Sequence, residues 1–190
     1  MTSAIEPCAI ETITLPEIGC AIRAATEEVF SVMLGLDMTA GEARMGRAGQ
    51  DHSGVVAVLG LTGEWGGSGQ VSCESALAMH IASKLLLSSC DSVDEDVLDA
   101  IAEVANMIIG NVKTCLEHTL GPMRMSAPAV FFGGDFETRI IGNPTMVVVP
   151  FRCTGGSTTV PFSCMGGSMT VQIAVAPVAL TRLRHRVKPQ

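Results

Sequence analysis

Residues 93–120, VDEDVLDAIAEVANMIIGNVKTCLEHTL, constrain the fold more than any other stretch, because they spell a long helix with both ends marked. Val97, Ile101, Val104, Ile108, Val112 and Leu116 recur at steps of three and four, which makes one apolar stripe for a core. Ser92 is the expected cap, with Glu95 completing a capping box. Asp94, Glu95 and Asp96 place negative charge at the positive end of the helix dipole. Gly121-Pro122 ends the helix, since proline cannot continue the hydrogen-bond ladder. The opposite face carries Glu95, Asp99, Glu103, Asn106, Gly110, Lys113 and Glu117. Glu103 and Asn106, three apart, are neighbours there. A carboxylate beside a carboxamide is one way to hold a partner and aim a water. Asn and Gly are poor helix formers, each costing up to about 1 kcal/mol relative to Ala. Asn106, Gly110 and Asn111 lie within six positions, which leaves two readings open. Another backbone approaches from outside, or the helix packs closely within its own protein.

The rest of the chain reads as one α+β domain. Thr14-x-x-Glu17 makes a capping box, and Pro16 sits where its missing N–H is harmless. The helix that follows runs to about Gly35, its stripe formed by Ile18, Ile22, Ala25, Val29, Met33 and Leu36. Residues 37–53 read as a loop or a poor strand. Residues 53–62 and 70–73 are strand-like, and the glycine-rich 63–69 between them suggests a hairpin with Trp65 near its turn. Residues 74–87 are a second helix. Beyond Pro122 the pattern returns to strands at 127–132, 136–141 and 145–151, separated by turn signals at Gly133-Gly134-Asp135 and Gly142-Asn143-Pro144. Cys-Thr-Gly-Gly-Ser at 153–157 and Cys-Met-Gly-Gly-Ser at 164–168 read as glycine turns, with Pro161 implying an edge. Residues 168–178 make the last strand. A long helix followed by strand pairs thus occurs twice, from residue 15 and from residue 93, which suggests an internal structural repeat. The expected architecture is an antiparallel or mixed sheet against long helices. It has an arm or edge strand at 1–13, the domain at 14–178 and a basic tail at 179–190.

Composition excludes several function classes. The net charge of −7 over 190 residues argues against nucleic-acid binding, which needs a basic face. No run of about 18 apolar residues suggests a membrane span, and the first residues lack a signal-peptide pattern, so the cytoplasm is expected. Seven cysteines, an odd count with no C-x-x-C, read as buried reduced thiols. His80, on the short helix, reads as structural.

The segment Asp99-Ala-Ile-Ala-Glu103-Val-Ala-Asn106-Met-Ile-Ile-Gly110-Asn111-Val-Lys113 resembles the signature helix of the CheC/CheX/FliY chemotaxis phosphatases, and within that group the CheX type. The likeness extends over about residues 14–178. It includes Gly-Leu-Thr-Gly at 60–63, the ESALAMHIASKLL helix, Ala-Pro-Ala-Val-Phe-Phe-Gly at 127–133 and Val-Val-Val-Pro-Phe at 147–151. The resemblance implies hydrolysis of the phosphoaspartate on a CheY-like receiver domain. Glu103 would pair with the receiver's lysine, and Asn106 would hold the attacking water. Asp99, Gly110 and Lys113 would line the contact. No cofactor is expected on this chain, because Mg²⁺ belongs to the receiver. A homodimer built through the sheet is also implied. CheC-type members carry the motif on both long helices. Here the first helix offers only Glu27-x-x-Phe30 and Glu28-x-x-Ser31, so a single site is expected. Two rival readings stand beside the enzyme. One is an adaptor that docks a receiver or flagellar switch component without accelerating hydrolysis. The other is a structural domain whose helix packs a dimer, with Glu103 and Asn106 buried against protein.

Overall fold

The computed structural model describes residues 13–47, 50–138, 145–155 and 167–178. Most of the expected N-terminal arm, the turn at 142–144, residues 156–166 with Pro161, and the basic tail lie outside the described residues, as do Cys8 and Cys164. Of the two expected glycine turns, Cys153–Gly155 is the end of a strand and Ser168 the start of another.

Helix α1, Leu15–Glu28, opens on the predicted capping box: the Glu17 carboxylate accepts the Thr14 amide at 2.7 Å. It continues as a π-helical segment, Val29–Leu34, which ends at Gly35 in the left-handed conformation (φ 62°). The change of pitch alters which residues face inward. Phe30 and Leu34 are buried, and Met33, expected in the apolar stripe, is 55% exposed.

Of the two readings of residues 37–53, the strand holds for most of the described ones. They supply β1, Asp37–Ala40, then β2, Arg44–Arg47, and the start of β3, Gln50–Gly63. Strand β4, Trp65–Cys73, begins at once. Gly66, Gly67 and Gly69, read as part of a hairpin interruption, therefore belong to a central strand, hydrogen-bonded on both sides to β3 and to β8, Ser168–Pro177. Sheet pairing overrides their weak strand propensity. Gly69 also leaves room for the long helix: a Cβ there would lie 2.6 Å from the Ile109 side chain.

Helix α2, Ser75–Leu86, and helix α3, Glu95–Leu120, follow. The cap of α3 is Asp94, not Ser92; its carboxylate accepts the Val97 amide at 3.1 Å. All six residues of the predicted stripe are buried, together with Ala100, Ala105, Ile109 and Leu120.

After α3 come β5, Met123–Met125, β6, Ala129–Thr138, and β7, Thr145–Gly155. Gly133-Gly134-Asp135 does not turn the chain. Gly133 stands opposite Gly54, where the β3–β6 register shifts. Such a shift marks a bulge. Gly54 has φ 123°, and the Cys73 carbonyl occupies the place of a Cβ, so only glycine fits.

Every pairing among the described strands is antiparallel, and the main path runs β1-β7-β8-β4-β3-β5. Exchanging β1 with β5, β2 with β6, β3 with β7 and β4 with β8 reproduces all of these pairings. The internal repeat is thus written in the sheet topology, and the halves join where β4 meets β8. Alternate residues of β3 (Val55, Ala57, Leu59, Leu61) and β7 (Val147, Val149, Phe151, Cys153) face the helices in one core. Helices α1 and α3 pack beside each other on that face.

Candidate functional site

Burying one face of α3 forces the other outward. Asp99 and Glu103 are exposed, and Asn106, Gly110 and Lys113 are half-buried. Within the described residues of the single chain, Glu103 and Asn106 line an open groove and neither is buried. Neither side chain makes a hydrogen bond or ion pair among the described residues.

Asp99, Ala102, Glu103 and Asn106 form one wall of an open groove of about 580 Å³. Residues 125–128 form the other. This second wall was missed by sequence reasoning. The available signal was Pro128, which cannot donate to a strand ladder and so marks an irregularity. The groove carries two carboxylates, on Asp99 and Glu103, and none of its lining residues is a Lys or Arg.

Gly110 lies one turn beyond Asn106. A Cβ on it would meet only the Met125 Cε, at 3.7 Å, which is ordinary contact. Packing within the chain therefore does not require this glycine. Lys113 is engaged elsewhere, in a 2.7 Å ion pair with Glu117. The Glu117 carboxylate also accepts the Met123 amide at 2.7 Å. The Lys113 hydrogen bond, then the Met123 amide, hold the Glu117 carboxyl below the usual range.

The counterpart on α1 differs. Its groove, about 480 Å³, is lined by Arg23, Glu27 and residues 38–42. Phe30 is wholly buried, and the Ser31 hydroxyl donates to the Glu28 carbonyl at 3.3 Å. No carboxamide is presented beside Glu27 or Glu28 on that helix.

The cysteine expectation holds only in part. Cys73 and Cys153 are buried, whereas Cys20 and Cys115 are exposed on their helices. Burial, then the neighbouring Glu74, push the Cys73 thiol up to about 12. His80 is half-buried, and that burial, then Lys84, lower its pKa. No group of three or more potential metal ligands clusters among the described residues.

Comparison with known proteins follows the same geography. The family model of the chemotaxis phosphatase CheX matches residues 55–152. The CheY-P phosphatase CheX of Thermotoga maritima is 33% identical over 92 residues, which are 48% of this chain and 59% of that protein. The match thus spans little more than half the relative's length. A crystal structure of a chemotaxis protein CheX from Desulfovibrio desulfuricans superposes with a TM-score of 0.70 at 23% identity, over 84% of this chain and 99% of that one. The CheX–CheY–BeF3–Mg²⁺ complex from Borrelia burgdorferi gives 0.62 at 23% identity, over 86% and 99%. At these identities the superpositions speak for the fold.

Proposed function

The chain belongs to the family of the chemotaxis phosphatase CheX, and on that premise we propose that it hydrolyses the aspartyl phosphate of a CheY-like receiver domain. The observation that carries this reading is the display of Glu103 and Asn106 side by side, uncommitted, on one wall of an open groove.

The chemistry follows from what the groove holds. A carboxylate within roughly 6 Å of a phosphoryl charge repels it by about 0.7–3 kcal/mol, depending on screening. With Asp99 and Glu103 and no cation among the lining residues, the groove is a poor site for a bare phosphate. It suits a phosphoryl group whose charge is offset on its own carrier. A receiver supplies that offset, with a lysine beside the phosphoaspartate and a divalent cation. Glu103 pairs with the ammonium and fixes the orientation of docking. The Asn106 carboxamide holds a water in line with the scissile bond, without taking its proton. The water oxygen bonds to phosphorus as the bond from phosphorus to the aspartyl oxygen breaks. The carboxylate and inorganic phosphate leave.

No helix among the described residues is long and apolar enough to cross a membrane. Residence in the cytoplasm, where receivers act, belongs to the same reading. So does a homodimer. Strand β6 pairs only with β3 among the described residues, and it presents Phe131 and Phe132, each about half exposed. Sedimentation of the wild type against a charged substitution at Phe132 tests that interface.

The test of the activity is phosphate release from phosphorylated receivers, with wild type and with Asn106→Ala. Acceleration by wild type, abolished in the variant while receiver binding persists, is the expected result. Binding without acceleration by wild type would replace the enzyme with the adaptor.

A further inference from the structure

The wall opposite Asn106 is a bulge held by one hydroxyl. Leu61 pairs with Met125, and Val58 pairs with Ala129. Between those pairs β3 has two residues, Leu59 and Gly60, while the facing chain has three, Ser126, Ala127 and Pro128. An extra residue breaks the ladder and pushes the chain out of the sheet. Here it forms a wall of the groove facing Asp99, Glu103 and Asn106.

Ser126 repairs the break. Its amide donates to the Gly60 carbonyl at 2.9 Å. Its hydroxyl accepts the Gly60 amide at 2.9 Å, in place of a missing backbone carbonyl, and donates to the Ala127 carbonyl at 2.8 Å. Pro128 adds stiffness: it has no amide to offer β3, and it confines Ala127 to extended conformations. The hydroxyl proton and one of the oxygen's lone pairs are therefore spent on shaping backbone.

We propose that Ser126 is a positioning residue: by clamping the bulge to Gly60 it fixes the groove wall that a docked receiver domain grips, and so sets affinity rather than the rate of the chemical step. This rests on the receiver-docking reading of α3.

The experiment uses the full chain as wild type, Ser126→Ala and Ser126→Thr. Three quantities are read: the Kd for a receiver charged with beryllofluoride and Mg²⁺, the KM and kcat of phosphate release, and hydrogen exchange at the Gly60 amide. Ser126→Ala is expected to speed Gly60 exchange and to raise Kd and KM together by about three- to tenfold, the worth of one net hydrogen bond. It should leave kcat within about twofold. Ser126→Thr, which keeps the hydroxyl, restores all three. Asn106→Ala gives the opposite split, losing kcat at unchanged Kd. Ser126→Ala with accelerated Gly60 exchange but wild-type Kd and KM overturns the proposal, as does a loss confined to kcat. Wild type that binds the charged receiver without hydrolysing it removes the phosphatase reading alone, and the Kd series still decides the role of Ser126. Wild type that neither binds nor hydrolyses defeats both.

Discussion

Glu117 and Met123 are joined across the end of α3: the carboxylate accepts the Met123 amide at 2.7 Å while its other oxygen holds Lys113. The helix terminus is thereby tied to the first residue of β5, and the groove wall starts two residues later. Because this carboxyl is held below its usual range, its ionised form stabilises the fold at neutral pH. That contribution is lost as pH falls through the carboxylate range and on through the lowered folded value. Glu17, lowered by its hydrogen bonds to Thr14, acts with the same sign. Melting temperature measured against pH should fall on acidification below about pH 5, and Glu117→Gln should flatten part of that fall. Identical profiles for wild type and variant would show that the ionised form contributes nothing.

Gly110→Ala separates stability from docking. In a helix interior Ala exceeds Gly by about 1 kcal/mol, and the added Cβ meets only the Met125 methyl at ordinary distance. Thermal melting should rise by a few degrees. If the glycine is there to admit a partner, the KM for phosphorylated receiver rises as well. A more stable protein with unchanged KM would remove Gly110 from the contact surface.

The uncompensated carboxylates of the groove predict selectivity. Acetyl phosphate in Mg²⁺ buffer should decay at the same rate with and without this protein, because the groove lining offers no cation for a free phosphoryl group. Catalysis of its hydrolysis, lost in Asn106→Ala, would show that the receiver's own charges are dispensable.

The cysteines can be sorted by alkylation with iodoacetamide, followed by peptide mapping. Cys20 and Cys115, exposed on α1 and α3, should label in the native protein. Cys73, buried and with its thiol pushed up to about 12, should label only after denaturation. Rapid native labelling of Cys73 would mean that the contact of β4 with the core opens readily.

The α3 wall of the candidate site was legible in the sequence, and the reason is local. A helix records its environment at fixed spacing, so the stripe of α3 and its wet face could be read residue by residue. Glu103 and Asn106 followed from that face and from the surrounding motif. The Thr14–Glu17 box was equally legible, since both partners lie within one turn. The Ser92 cap failed for the same local reason, since Asp94 is an equally good candidate two residues on. Met33 failed because a π-turn has no clear sequence signature.

Sequence by itself therefore determined the two long amphipathic helices, the α+β class and the polar pair on α3. Only the tertiary structure decided what faces that pair. The glycines of β4 became a central strand because β3 and β8 pair on either side of it. Residues 126–128 became a groove wall because Gly60, remote in sequence, sets the register they depart from. The repeat became visible as a symmetric set of strand pairings, although the two halves share little sequence. In each case the deciding contacts are long-range hydrogen bonds, whose partners periodicity along the chain cannot name.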